Sequence, residues 1–144
     1  MIKHAKAHWL TADVIAYPAA GLVSLYYSAN ADIYMDEAAA SLVGGIRFPL
    51  KATKAPHSVI QHFPHLASWP MWKLPAGIDH QMLLKGQLIV AAYQQDGRLL
   101  EATKVQTRGV LDQLYAEAAR QVELGTCVGE ETSFALWAPT AQKA

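Results

Sequence analysis

At 144 residues the chain is one ordinary domain, too short to hold a (β/α)8 enzyme barrel, which takes at least about 200 residues. Apolar residues make up 52% of it and charged ones only 17%, which excludes general disorder. Twelve basic residues cancel twelve acidic ones, so no basic excess marks a nucleic-acid interface, and no apolar run approaches the roughly 18 residues of a membrane span.

The start, Met1-Ile2-Lys3-His4-Ala5-Lys6, has the basic flavour of a signal-peptide n-region. His8 and Asp13 interrupt the apolar stretch that should follow, so no signal peptide is expected. Residues 7–10 and 13–17 then read as strand, stopped by Pro18. Residues 21–28 are a stronger strand, with Val23, Leu25 and Tyr27 on one face and Leu22, Ser24 and Tyr26 on the other. A polar turn at 29–32 leads into a short extended piece at 33–35. The alanine run 37–40 has helix propensity that Gly44-Gly45 cuts short. Ile46 to Leu50 suits an edge strand, since Pro49 cannot donate to a ladder.

The middle, 56–75, is the least regular part, with a helical turn expected over 57–63, ahead of Pro64. Two strand-like runs, 86–93 and 99–106, flank Asp96-Gly97 and predict a β-hairpin. Val110, Leu111, Leu114, Tyr115 and Ala118 form an apolar stripe that predicts a helix over about 109–121. Gly125 and Gly129 bracket a loop, and a last strand runs from Thr132 until Pro139 stops it. Five to seven short strands with one substantial helix predict a mainly β fold, a β-sandwich.

Chemistry is sparse. The sequence holds no phosphate loop, no dinucleotide fingerprint and no Gly-x-Ser-x-Gly. His57, His62 and His65, with Asp79 and His80 nearby, suggest metal ligation, but Pro64 breaks the helical spacing that His62 and His65 would need. No metal is expected, and these read as loop histidines. Cys127 is the only cysteine, which rules out an internal disulfide; it has no basic neighbour to activate it as a nucleophile. Glu101, Asp79 and Asp96 are available acids, yet no spacing singles out the pair that glycoside hydrolysis requires. Trp69 and Trp72 admit two readings: an aromatic platform for the CH-rich face of a sugar, or anchors pinning a proline-rich loop to the core.

Ser133-Phe134-Ala135-Leu136-Trp137-Ala138-Pro139-Thr140-Ala141 resembles the F-x-L-W-A-P-T-A opening of the family 48 carbohydrate-binding module in pullulanases of glycoside hydrolase family 13. Phe63-Pro64-His65-Leu66-Ala67, Leu83 to Leu88 and Val105 to Tyr115 are similar to the preceding N2 domain of bacterial pullulanases, as is Ala7-His8-Trp9-Leu10. The resemblance runs from about residue 7 to 144. It implies an immunoglobulin-like β-sandwich over 1–125, followed at 126–144 by a linker and the truncated start of a family 48 module.

The family's activity is hydrolysis of α-1,6-glucosidic linkages. Its catalytic carboxylates lie on a (β/α)8 barrel with no counterpart here, so no catalytic residue carries over and no cofactor is implied. The implied role is a non-catalytic accessory or spacer domain. Its partners would be the rest of a pullulanase chain, the family 48 module and the catalytic barrel; the parent family is secreted or held at the cell surface. The alternative is an autonomous weak α-glucan-binding module that uses Trp69 and Trp72. The resemblance implies that the strand 132–138 lacks the rest of its sandwich, so it is expected to dock on the domain before it, pair with another copy or stay mobile, with Phe134 and Leu136 on one face and Trp137 on the other.

Overall fold

The structure, a computed structural model, describes residues 2–143. In chain order the strands are β1 (Ala7–Thr11), β2 (Val14–Ala16), β3 (Leu22–Ser28), β4 (Tyr34–Asp36), β5 (Ser41–Val43), β6 (Ile46–Pro49) and β7 (Lys51–Thr53). After helix α1 (His57–His62) and a 3-10 turn (Pro64–Leu66) come β8 (Met71–Lys73), helix α2 (His80–Leu84), β9 (Gln87–Tyr93) and β10 (Leu99–Gln106). Helix α3 (Arg108–Arg120), β11 (Gly125–Val128) and β12 (Thr132–Ala135) complete the chain.

Eight strands are hydrogen-bonded in the order β6-β3-β9-β10-β1-β2-β8-β7. The ladder folds over at β10. Its residues up to Lys104 pair antiparallel with β9, whereas Val105 and Gln106 pair in parallel with Ala7 and His8 of β1. The two halves face each other across one core. Trp9, Ile15 and Trp72 come from one side, and Val23, Leu25, Tyr27, Leu88 and Val90 from the other. This is the expected β-sandwich. The face alternation expected for β3 holds, since Val23, Leu25 and Tyr27 enter that core while Tyr26 turns outward.

Both outer faces are covered too. Leu10, Val14, Ala16 and Met71 pack under Val59 of α1 and Leu66 of the 3-10 turn, so the irregular middle of the chain serves as a lid over one sheet. Tyr26, Ile89, Ala91 and Tyr93 lie under Ile33, with Leu42 of β5 at the margin. Strands buried on both faces explain why β9, Gln-Leu-Ile-Val-Ala-Ala-Tyr, is apolar almost throughout.

Most predicted elements appear close to their expected bounds. α1 ends before Pro64, β6 is an edge strand, and Gly97 (φ 87°) closes the β9–β10 turn while Asp96 accepts from the Arg98 N–H at 3.0 Å. α3 begins one residue before the expected start and leaves Ala118 exposed, so its stripe narrows to Val110, Leu111, Leu114 and Tyr115. Gly109 sits where α3 meets β1. A Cβ there would lie 2.9 Å from the Leu10 Cα and carbonyl oxygen.

β7, β8 and α2 form where no element was expected, and two further segments take a form other than the expected one. The alanine run is the turn of a hairpin joining β4 and β5, in which Asp36 accepts from the Ala38 and Ala39 N–H groups at 2.9 and 3.1 Å. Four residues are too few to repay helix nucleation, and the carboxylate satisfies the turn directly. The segment expected as a loop after Gly125 is β11, paired antiparallel with β12 from Gly125↔Ala135 to Val128↔Thr132. The last strand therefore ends at Ala135 and has a partner within the chain.

Candidate functional site

Trp69 and Trp72 do not form a common platform. On β8 the side chains alternate, so Trp72 enters the sandwich core and Met71 the outer cluster, and it is at the margin of that outer cluster that Trp69 packs. Trp72 is only 6% exposed, and its indole N–H donates to the Tyr17 carbonyl at 3.1 Å. Trp69 is half-buried with its ring edge-on to His8, centroids 5.6 Å apart at 77°. Of the pair, only Trp69 keeps a reachable ring.

The histidines scatter likewise. His62 closes α1 with Nδ1 2.7 Å from the Ser58 carbonyl oxygen, and His65 sits in the 3-10 turn. Burial, with the charge of His65 second, holds His8 below the usual imidazole range. Among the described residues no group of three or more His, Cys, Asp or Glu is placed to hold a metal ion. Cys127 lies exposed on β11.

The acids have structural employment. Asp79 caps α2 by accepting from the Met82 N–H at 3.1 Å, and Asp96 closes the β9–β10 turn. Glu101 is the most heavily engaged. Its carboxylate pairs with the Lys6 ammonium and accepts from the Tyr17 hydroxyl at 3.0 Å, while Tyr17 itself is fully buried. The hydrogen bond from Lys6 is the larger cause, and the bond from Tyr17 a smaller one, of a Glu101 carboxyl held below the usual range; partial burial opposes both. Burial and the adjacent carboxylate push the Tyr17 phenol far up. Such a glutamate stays ionised and tied, and a general acid must instead carry a proton near neutrality. Sequence reasoning could not find this triad, because its members are 84 and 95 residues apart. Among the described residues every buried side-chain nitrogen or oxygen has a partner.

The C-terminal hairpin carries the largest apolar exposure. Val128, Phe134 and Leu136 are 81%, 79% and 85% exposed, and their even-numbered positions, with Thr126 and Thr132, put them on one face. The opposite face leads to Trp137, which stands edge-on to Tyr115 of α3 at 6.0 Å and 80°. A groove of about 500 Å³ runs between α3 and this tail, lined by Arg108, Asp112, Tyr115, Trp137 and Thr140 among others. No helix among the described residues is long and apolar enough to cross a membrane.

A β-sandwich with covered outer faces, polar groups engaged in holding its own strands and one apolar hairpin at its end is the kind of domain that occurs as a building block of larger chains. The chain belongs to the Pullulanase N2 domain family, whose pattern it matches over residues 4–113. It is 36% identical over 143 residues to a pullulanase of Klebsiella pneumoniae and 34% identical over 144 residues to the chloroplastic pullulanase 1 of Arabidopsis thaliana. In each case 96% of this chain aligns with only 13% and 15% of the relative.

Solved structures agree with this assignment. The fold superposes with a TM-score of 0.87 on Klebsiella pneumoniae pullulanase complexed with maltotriose, and of 0.88 on PulA from Klebsiella oxytoca, at 36% and 35% identity. In both cases 98% of this chain covers 14% of the other. The chain thus spans about one-seventh of the proteins it resembles.

Proposed function

We propose that the chain acts as a non-catalytic accessory domain of a pullulanase-type enzyme, one that hydrolyses α-1,6-glucosidic linkages on a catalytic barrel elsewhere in its chain. The observation that carries the reading is one of proportion: nearly all of this sequence aligns at 36% identity with 13% of a pullulanase. The engagement of Asp79, Asp96 and Glu101 in caps, turns and an ion pair supports it, since hydrolysis by two carboxylates needs both held free in one cleft. The partners of such a domain would be the family 48 module and the catalytic barrel of the same enzyme. The reading takes 1–125 as the accessory sandwich and 126–144 as the approach to the next module, which suits a helix ending at Arg120 and a hairpin opening at Gly125 with φ 98°.

The test is to delete from the Klebsiella pneumoniae pullulanase the segment that aligns with residues 4–113. Retained kcat on a soluble α-1,6-linked substrate, within about threefold, with lowered thermal stability, is the expected result. A kcat fallen by more than about 1,000-fold in an enzyme that remains folded would overturn it, because losses of that size mark groups acting in the transition state.

A second reading, weak α-glucan contact, has Trp69 as its support, because that ring is only partly buried. One ring limits affinity to about millimolar after association costs. Retardation of the chain in a pullulan gel, abolished by Trp69→Ala and untouched by a surface control, is its signature; equal mobility with and without pullulan would dismiss it.

A further inference from the structure

The last residues of the hairpin do not trail away from the sandwich. After Trp137 has packed on Tyr115, a turn in which the Ala141 N–H donates to the Ala138 carbonyl at 3.1 Å brings Gln142 back to the body. The Gln142 amide nitrogen donates to two main-chain carbonyls, Ala29 and Lys85, each at 2.8 Å. A primary amide has two N–H groups, so one side chain serves both acceptors. These carbonyls follow β3 and precede β9, two strands paired through Ser28↔Gln87, so the glutamine bridges the shared end of the central strand pair. The anchors lie on separate elements: α3 at one point, and the β3 and β9 ends at the other.

We propose that residues 137–142 are a strap that locks the β11–β12 hairpin to the sandwich in one orientation, making 125–142 a rigid coupling rather than a flexible linker. One ring contact alone would let the hairpin swivel about Tyr115. The second anchor removes that freedom, because a segment fixed at two separated points keeps its direction. With Trp137 drawn onto α3, the hairpin itself stays in solvent: every residue of β11 and all of β12 but Ala135 are exposed. The lock stands on this chain's own contacts. Its use, carrying a fixed direction from the sandwich to a neighbouring module, rests on the accessory-domain reading above.

The native Cys127, exposed on the hairpin, and a second cysteine from Lys51→Cys on edge strand β7 give a pair of spin labels in the full chain. Pulsed dipolar spectroscopy should give one narrow distance distribution in the otherwise native chain. In Gln142→Glu combined with Trp137→Ala it should broaden about twofold or more, with unchanged circular dichroism, as expected when a segment loses its docking contacts. Gln142→Glu alone, at an exposed position that leaves folding intact, should broaden it partly. A broad distribution in the native chain, or a narrow one that survives the double substitution, would overturn the strap. Neither result depends on the role of the domain in catalysis, which the deletion experiment reads separately.

Discussion

Trp69 and Trp72 are three positions apart in sequence and belong to different cores, and that difference decides what each can do. Trp72→Ala would leave a large hole in the core it shares with Trp9, Ile15 and Leu25, and would take from the Tyr17 carbonyl one of its two donors, leaving it the Ala19 N–H at 2.8 Å. We expect a loss of about 3–5 kcal/mol in chemical denaturation, the usual cost of truncating a buried large aromatic. Trp69→Ala removes a half-buried ring at the edge of a smaller cluster and should cost less than half as much. Equal losses would mean that the two rings share one environment. The sequence offered no way to separate them, because the phase of a three-residue strand after a proline cannot be read locally.

Glu101 sets a pH dependence of defined sign. Its folded carboxyl is held below the unfolded value, so above about pH 4.3, the ordinary glutamate range, the stabilisation is fully present. As pH falls below that range the unfolded chain takes up the proton first, and stability drains away until the folded carboxylate also protonates. Glu101→Gln should therefore lower the melting temperature at pH 7 and flatten its decline between about pH 5 and 3. Parallel acid limbs in the native chain and the variant would remove Glu101 from the account. The effect should be modest and weaken in salt, since the side chains of Lys6 and Glu101 are both more than a third exposed.

Among the elements, α3 depends on one close approach. Gly109 lets the helix backbone lie against the main chain of Leu10, and backbone atoms cannot move aside as a flexible side chain would. Gly109→Ala should cost about 1–3 kcal/mol, the range for overpacking a tight interface, despite alanine's better helix propensity. A stabilised variant would show that the helix rides farther from β1.

The elements also mark where sequence reading succeeds. β3 and the β9–β10 hairpin were legible because their signals are local: alternation over seven residues, and an Asp-Gly step between two apolar runs. The crossing of β10 from one sheet to the other was not. It depends on Val105 meeting Ala7, nearly a hundred residues away, and nothing in 99–106 announces that the ladder changes partner there. β11 was missed because Gly125-Thr126-Cys127-Val128 is short, glycine-led and extended only through its pairing with β12. The strap was missed for the first reason again, since Gln142 reaches 57 and 113 residues back. Docking on the preceding domain was one of the fates open to the strand at 132–138; the residues that carry it, Trp137 on Tyr115 and Gln142 on Ala29 and Lys85, were not legible.

At the scale of the whole molecule, the hairpin is an appendage whose removal the sandwich should survive. Deleting 126–144 takes away Trp137 and Gln142 but no residue of the main core. We expect a loss below about 2 kcal/mol, and less light scattering once Val128, Phe134 and Leu136 are gone. A larger loss would make the segment integral to the fold.

The accessory role we propose has the domain serving α-1,6 hydrolysis carried out elsewhere in a longer chain, and not performing it. Its most direct test is reducing-sugar release from pullulan by the purified chain at high concentration, beside Glu101→Gln and a buffer control. Release should be indistinguishable from buffer for both proteins, because a carboxylate committed to Lys6 and Tyr17 has no proton to give. Release well above buffer by the native chain, abolished by Glu101→Gln in a protein that remains folded, would contradict it.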